Sequence, residues 1–215
     1  MQRAKVNIKS HKQQAIFHMC AISITRGFLQ TERTTVANLY WEAFSGKLGR
    51  VMAPPPKALA FFTSALNPAF ALSARNNAGD LMGLAGFKTT SGALIEGGLK
   101  EMAAVYGWPG ALWRGTALSL LERDTVTDTL LMDGLFVAPH ARGMGAGTAL
   151  IAAIKQQAIH QGLSNVRLDV IDSNPRARAL YERQGFVATG TDHLGPLRHI
   201  FGFNSATKMV CDVTT

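Results

Sequence analysis

Cysteine is scarce in this chain: Cys20 and Cys211 are the only two, near opposite ends of 215 residues. Two are too few for a disulfide framework, and with no CxxC pair or Cys/His ligand spacing the sequence offers no metal site. A reducing, cytoplasmic setting is expected. Charge is also sparse, at 17% Asp, Glu, Lys and Arg, which excludes disordered and coiled-coil compositions. Long apolar runs are missing, so no segment reaches the roughly 20 residues of a membrane span. Acids are absent before Glu32, whereas Arg3, Lys5, Lys9, Lys12 and Arg26 precede it. A secretory signal requires a clean apolar stretch and a small-residue cleavage site. The candidate stretch, Ala15–Ile24, is broken by His18 and Ser23 and runs into Arg26-Gly27. Residues 1–20 therefore read as a basic leader before a first strand, with a cleaved targeting peptide as the alternative.

What is present points to one globular domain over 1–215. Apolar residues make up 47% of the chain, enough for a core, and the net charge is +8. A positive surface attracts anions such as nucleic acid, acidic protein or a polyphosphate cofactor. Beyond the leader the basic residues are scattered, and no RNA-module signature or zinc-finger spacing accompanies them, which speaks against nucleic acid.

Strands and helices alternate, which predicts an α/β or α+β domain. Strands are expected at Ala21–Thr25, Pro68–Ala74, Asp80–Thr89, Thr129–Val137, Val166–Ile171, Phe186–Thr189 and Thr207–Asp212. Helices are expected at Thr31–Leu48, from the Pro54-Pro55-Pro56 break to Leu66, at Gly143–Gly162 and at Pro175–Gln184. Leu99–Glu122 has helical composition split by Gly107-Trp108-Pro109-Gly110, so two short helices are expected there.

The most informative stretch runs Val137-Ala138-Pro139-His140-Ala141-Arg142-Gly143-Met144-Gly145-Ala146-Gly147-Thr148. It carries a strand into a helix through a glycine-rich turn. Free backbone N–H groups and the positive end of the macrodipole make such a helix start suited to phosphate. Glycines let the backbone approach an anion with no Cβ in the way. A Walker loop would need Lys after the glycines, and none follows. A dinucleotide fingerprint would place GxGxxG directly after its strand. Here the third glycine falls one position early. Asp169 imitates that motif's ribose-binding acid, but too little chain follows it to complete a doubly wound sheet. The remaining reading is R-x-x-G-x-G, met by Arg142, Gly145 and Gly147.

The second motif is Asn174-Pro175-Arg176-Ala177-Arg178-Ala179-Leu180-Tyr181-Glu182-Arg183-Gln184-Gly185-Phe186. Asn174 suits an N-cap, Pro175 the first helical position and Gly185 a left-handed C-terminus. By itself it reads as a capped helix with Tyr181 packing.

Together the two segments resemble the GNAT acetyltransferase superfamily, over about residues 129–187. The resemblance implies a strongly bent mixed sheet flanked by helices, with two splayed central strands that hold acetyl-CoA between them. It implies an N-acetyltransferase working without metal by direct attack of an amine. Backbone groups of Phe136 and Val137 would bind the pantetheine arm. Arg142, Gly143, Met144, Gly145, Ala146, Gly147 and Thr148 would form the pyrophosphate loop. Asn174 would bond the pantetheine or the loop, and Tyr181 would protonate the leaving thiolate. Strand alternation puts Asp133 on the side of Val137, making it the first candidate base, followed by Glu96, His140 or a water relay. The acceptor, a small molecule or a protein amine, is not legible. A different acyl-CoA donor and a non-catalytic acyl-CoA-binding module remain alternatives. The family commonly joins its third and fourth strands tightly, whereas here 99–128 intervenes as a helical insertion rich in Trp and Leu. It covers the acceptor site, packs on the outer sheet or makes an oligomer contact such as a homodimer interface.

Overall fold

The computed structural model describes residues 22–121 and 127–214; the leader, Cys20, Ala21 and residues 122–126 of the insertion lie outside them. Seven strands form one sheet: β1 (Ser23–Arg26), β2 (Ala71–Arg75), β3 (Leu81–Lys88), β4 (Thr129–Val137), β5 (Asn165–Ile171), β6 (Val187–His193) and β7 (Ser205–Asp212). Their order is β1-β2-β3-β4-β5-β7-β6. All neighbours are antiparallel except β4 and β5, which run parallel.

The helices are α1 (Arg33–Met52), α2 (Pro55–Ala65), α3 (Leu99–Ser119), α4 (Ala146–His160), α5 (Pro175–Arg183) and α6 (Arg198–Phe201). They cover the two faces of the sheet unequally. On one face α4 buries Leu150, Ile151, Ile154 and Ala158 against Leu130, Val166 and Leu168; their near-helical spacing makes one apolar stripe. On the other face α1 and α2 bring Val36, Val51, Met52, Phe61 and Phe62 onto Leu84 and Phe136.

Register decides where the sheet opens. Only Thr129, Leu130 and Leu131 of β4 pair with β5, opposite Asn165, Val166 and Arg167. Beyond them the strands part, as the resemblance implies. On the other side of β4, Gly134 pairs with Gly86 and Met132 with Phe87, which leaves Asp133 without an opposite residue. Such a bulge bends its strand and sharpens its twist, and it falls immediately past the last residues that β4 shares with β5.

Most expected elements form, with shifted ends. The helix after the glycines starts at Ala146 rather than Gly143, because Gly143 and Gly145 have φ of 81° and 91°, outside helical space. Residues 68–70 make a one-turn 3-10 helix before β2. The short α6 was not expected. The insertion is helical with a break at Gly107 (φ 72°, ψ 162°), so α3 is two helices meeting at a kink. It buries Met102 and Ala111 against α1 and α2 rather than on the sheet. Tyr106 donates a hydrogen bond to the Met52 carbonyl at 2.6 Å, and Arg114 donates one to Ala53 at 2.9 Å. Its outer side leaves Trp108 and Leu112 exposed.

Candidate active site

A cavity of about 600 Å³ fills the opening between the parted strands. Its walls come from β4 (Met132–Val137), β5 (Leu168–Ile171), the start of α4, one side of α5, and α1 through Leu39, Glu42, Phe44 and Lys47.

At one end lies the glycine turn. Gly145 is the N-cap of α4 in left-handed conformation and supplies no capping side chain. Among the described residues, the N–H groups of Gly143, Gly145, Ala146, Gly147 and Thr148 have no hydrogen-bond acceptor. All five residues line the cavity. A Cβ on Gly143 would meet nothing within 4 Å, and one on Gly145 only Ile22 at 3.7 Å, so no side chain crowds these amides. Orphan amides at a helix start, with open room before them, fit an anion such as a pyrophosphate. Met144 is the exception within the loop. Its N–H donates to Ala141 at 3.3 Å and its side chain is exposed, so it offers the cavity no donor.

Arg142 bridges this end to α1. Its Nε donates to the Val137 carbonyl at 3.3 Å and its Nη2 to Glu42 at 2.7 Å. Arg176 and Arg183 of α5 add two more cations to the lining. Neither they nor Glu42 carry a sequence motif, so reading the sequence missed them.

The middle of the cavity is the open edge of β4, where Phe136 and Val137 sit. Across it stands α5. Asn174 caps that helix, its Oδ1 accepting from Ala177 N–H at 3.1 Å, which turns its carboxamide toward the cavity that it lines. Gly185, at φ 82°, ends the helix, and Phe186 N–H returns to the Tyr181 carbonyl at 3.1 Å. This closure brings Phe186 against the Tyr181 ring, centroids 5.9 Å apart. Tyr181 is 8% exposed yet lines the cavity. Burial pushes its phenol pKa up to about 12, because the anion would lose its hydration. The group stays protonated through neutral pH and can donate a proton or hydrogen bond. Among the described residues its hydroxyl has no partner.

The far end holds two carboxylates. Asp133 and Asp169 both line the cavity, each two residues past the last β4–β5 pair, Leu131 and Arg167. The alternation argument for Asp133 fails, because the bulge resets it. Leu130 and Met132 pack under α4, and so do Leu135 and Val137, a slip of one residue at Asp133. Asp133 reaches the cavity through the bulge and the parting of the strands. The Asp169 side chain is 4% exposed and ion-paired with Arg167 at 3.3 Å. Glu96 is spent elsewhere: it accepts from Asn67 at 2.6 Å and from Ala93 N–H at 3.2 Å. His140 is exposed in the turn after β4. Neither lines the cavity.

Among the described residues, no group of His, Cys, Asp or Glu is arranged to hold a metal ion. Likewise, no helix there is long and apolar enough to cross a membrane.

A segment of 56 residues is 41% identical to an uncharacterized N-acetyltransferase, YhfO, of Bacillus subtilis, covering 26% of this chain and 38% of that one. The thialysine N-epsilon-acetyltransferase of Bos taurus is 36% identical over 56 residues, 26% of this chain and 33% of that protein. The match thus spans little more than a third of either relative. Whole-chain likeness appears in the fold. An N-acetyltransferase from Staphylococcus aureus Mu50 superposes with a TM-score of 0.62 at 14% identity, over 87% of this chain and 99% of its own. The ribosomal-protein-S18-alanine N-acetyltransferase from Escherichia coli gives 0.54 at 16% identity, over 91% and 96%. A family model described as the acetyltransferase (GNAT) family matches residues 33–186, from α1 through the glycine turn and α5, and the chain belongs to that family.

Proposed function

We propose that the protein is an N-acetyltransferase that moves the acetyl group of acetyl-CoA onto an amine. The observation that carries this reading is one cavity that joins five orphan amides at the start of α4 to a buried, protonated phenol beside the open edge of β4. The acceptors named for the relatives, thialysine and a ribosomal-protein alanine, are amines, which supports an amine here. Cysteine usage supports a cytoplasmic setting.

When bound, acetyl-CoA supplies an activated thioester carbonyl. The amides of Gly143, Gly145, Ala146, Gly147 and Thr148 hold its pyrophosphate, with Arg142, Arg176 and Arg183 adding positive charge. The β4 edge at Phe136 and Val137, with Asn174, holds the pantetheine. A C–N bond forms as the C–S bond breaks. Asp133 accepts the proton that leaves nitrogen, and Tyr181 delivers one to sulfur. Phe44 supports acetyl over a longer acyl group. Its ring lines the cavity and packs so closely on β4 that a Cβ on Gly134 would lie 2.9 Å from it.

The test is thiol release from acetyl-CoA across a panel of amines, repeated with succinyl-CoA. Amine-dependent release with acetyl-CoA, several-fold faster than with succinyl-CoA, is expected. CoA binding with no release for any amine would leave a binding module and overturn the reading.

A further inference from the structure

On α1 the cavity lining ends at Lys47. One turn further along α1, Arg50 lines a second, more open recess of about 260 Å³ with Arg198, His199, Gly202, Phe203 and Asn204. The two hollows are bordered by neighbouring residues at two places. On α1, Lys47 lines the first and Arg50 the second, three residues apart and so on neighbouring faces. Along β5, Ile171 lines the first cavity, and the next residue, Asp172, accepts the Asn204 N–H of the second at 3.3 Å. The recess therefore opens beside the far end of the site, opposite the glycine turn.

Its charge is one-sided. Three of its six lining residues are Arg50, Arg198 and His199, and none is an acid. Asp172 lies outside that lining and is engaged by Asn204 N–H. Arg50 is held in place: its Nη1 donates to the His199 carbonyl at 2.6 Å, which ties α1 to α6 and leaves Nε and Nη2 of the guanidinium for another acceptor. Gly202 (φ 76°) makes the close approach that shapes the recess, since a Cβ there would stand 3.4 Å from the Gly46 carbonyl of α1. A fixed arginine fork beside a second arginine suits a carboxylate or phosphate, which it can grip with two hydrogen bonds.

We infer that this recess is an acceptor subsite for an anionic group, so that the amine substrate carries a carboxylate or phosphate beyond its reacting nitrogen. The inference rests on the N-acetyltransferase reading for the nitrogen, but the subsite is testable by itself. The recess lies outside the cofactor cavity and holds the charge that an acceptor presents outward while its amine points to Asp133.

The test uses matched small amines: ethanolamine, β-alanine and phosphoethanolamine, which carry no anion, a carboxylate and a phosphate. Binding to the full chain saturated with CoA is measured by calorimetry, so that the glycine turn is already filled. Thiol release from acetyl-CoA is measured in parallel. One or both anionic amines are expected to exceed ethanolamine about tenfold or more in affinity and in kcat/KM, and the better one names the anion. Arg198→Ala, at an exposed guanidinium with no bond among the described residues, should cut that ratio several-fold, and Arg50→Ala should cut it further. If Arg50→Ala fails to fold, Arg198→Glu stands in and should abolish the preference. Equal binding of all three amines, or a ratio unmoved in Arg198→Glu, overturns the subsite. Absence of thiol release with every amine overturns the enzyme reading, and calorimetry on the CoA complex still decides the subsite.

Discussion

The two ends of the cavity are built from different material. The end proposed for the cofactor is mostly backbone: orphan amides at the start of α4, a strand edge on β4, and a capped helix, α5. All lie within residues 132–183 in consecutive elements. The end proposed for the acceptor is mostly side chains from distant stretches: Phe44 and Lys47 on α1, Asp133 at the β4 bulge, Asp169 on β5, then Arg50 and Arg198 in the neighbouring recess. Backbone sites need special conformations, and glycine, proline and capping residues mark these locally. Side-chain sites need only the right charge at the right place, and any element can supply it.

Tyr181→Phe tests the chemistry where the two ends meet. Loss of one hydroxyl from a packed ring should leave CoA affinity nearly unchanged. Single-turnover acetylation should slow by roughly 10²–10⁴-fold, typical of losing a positioned acid. A wild-type single-turnover rate would reduce Tyr181 to packing.

The same phenol gives a pH test. Its folded pKa near 12 exceeds the unfolded value of about 10. Between those values the folded state holds the proton that the unfolded state has lost, so stability falls as pH rises. Its contribution is complete below about pH 10 and fades toward pH 12, by roughly 2–3 kcal/mol. Denaturant midpoints from pH 9 to 12 should fall more steeply for the wild type than for Tyr181→Phe. Parallel curves would disprove the burial argument.

Gly145→Val probes the backbone end alone. At φ 91° a β-branched residue is strained by about 1–2 kcal/mol or more, and relief of that strain would shift the amides at the start of α4. CoA affinity should drop about tenfold or more, the equivalent of 1.4 kcal/mol. Gly79→Val is the control: its φ of 88° is similar but lies in the β2–β3 turn, away from the cavity. It should lose stability and keep CoA affinity. Equal loss in both variants would make the effect one of general strain.

The smallest effect is expected from the bridge between the ends. Glu42→Gln frees Arg142 from a pair whose partners are about half exposed, 48% and 49%. Such pairs contribute about 0.2–1 kcal/mol, so CoA should bind up to about fivefold tighter as Arg142 turns to phosphate. Weaker binding in calorimetry would mean that Glu42 orients Arg142 for the cofactor instead.

The sequence alone determined the order of elements, the glycine turn that opens α4 and the capped α5 helix with Asn174 and Tyr181. Each of these is a local matter of φ preference, capping or apolar period, which neighbouring residues decide. It also carried the split of the insertion, because Gly107 and Pro109 break a helix wherever it packs. Tertiary structure decided the rest. Strand period placed Asp133 on the wrong footing, since the bulge depends on how Gly86 and Phe87 pair with β4, and pairing is not local. Glu96 and His140 looked eligible as bases until the fold spent one on Asn67 and Ala93 and left the other outside the cavity. Glu42, Lys47, Arg50, Arg176 and Arg183 bear no motif. They face a cavity only because α1, α5 and α6 pack where they do, and a charge on a helix surface reads the same in sequence whether it meets solvent or substrate.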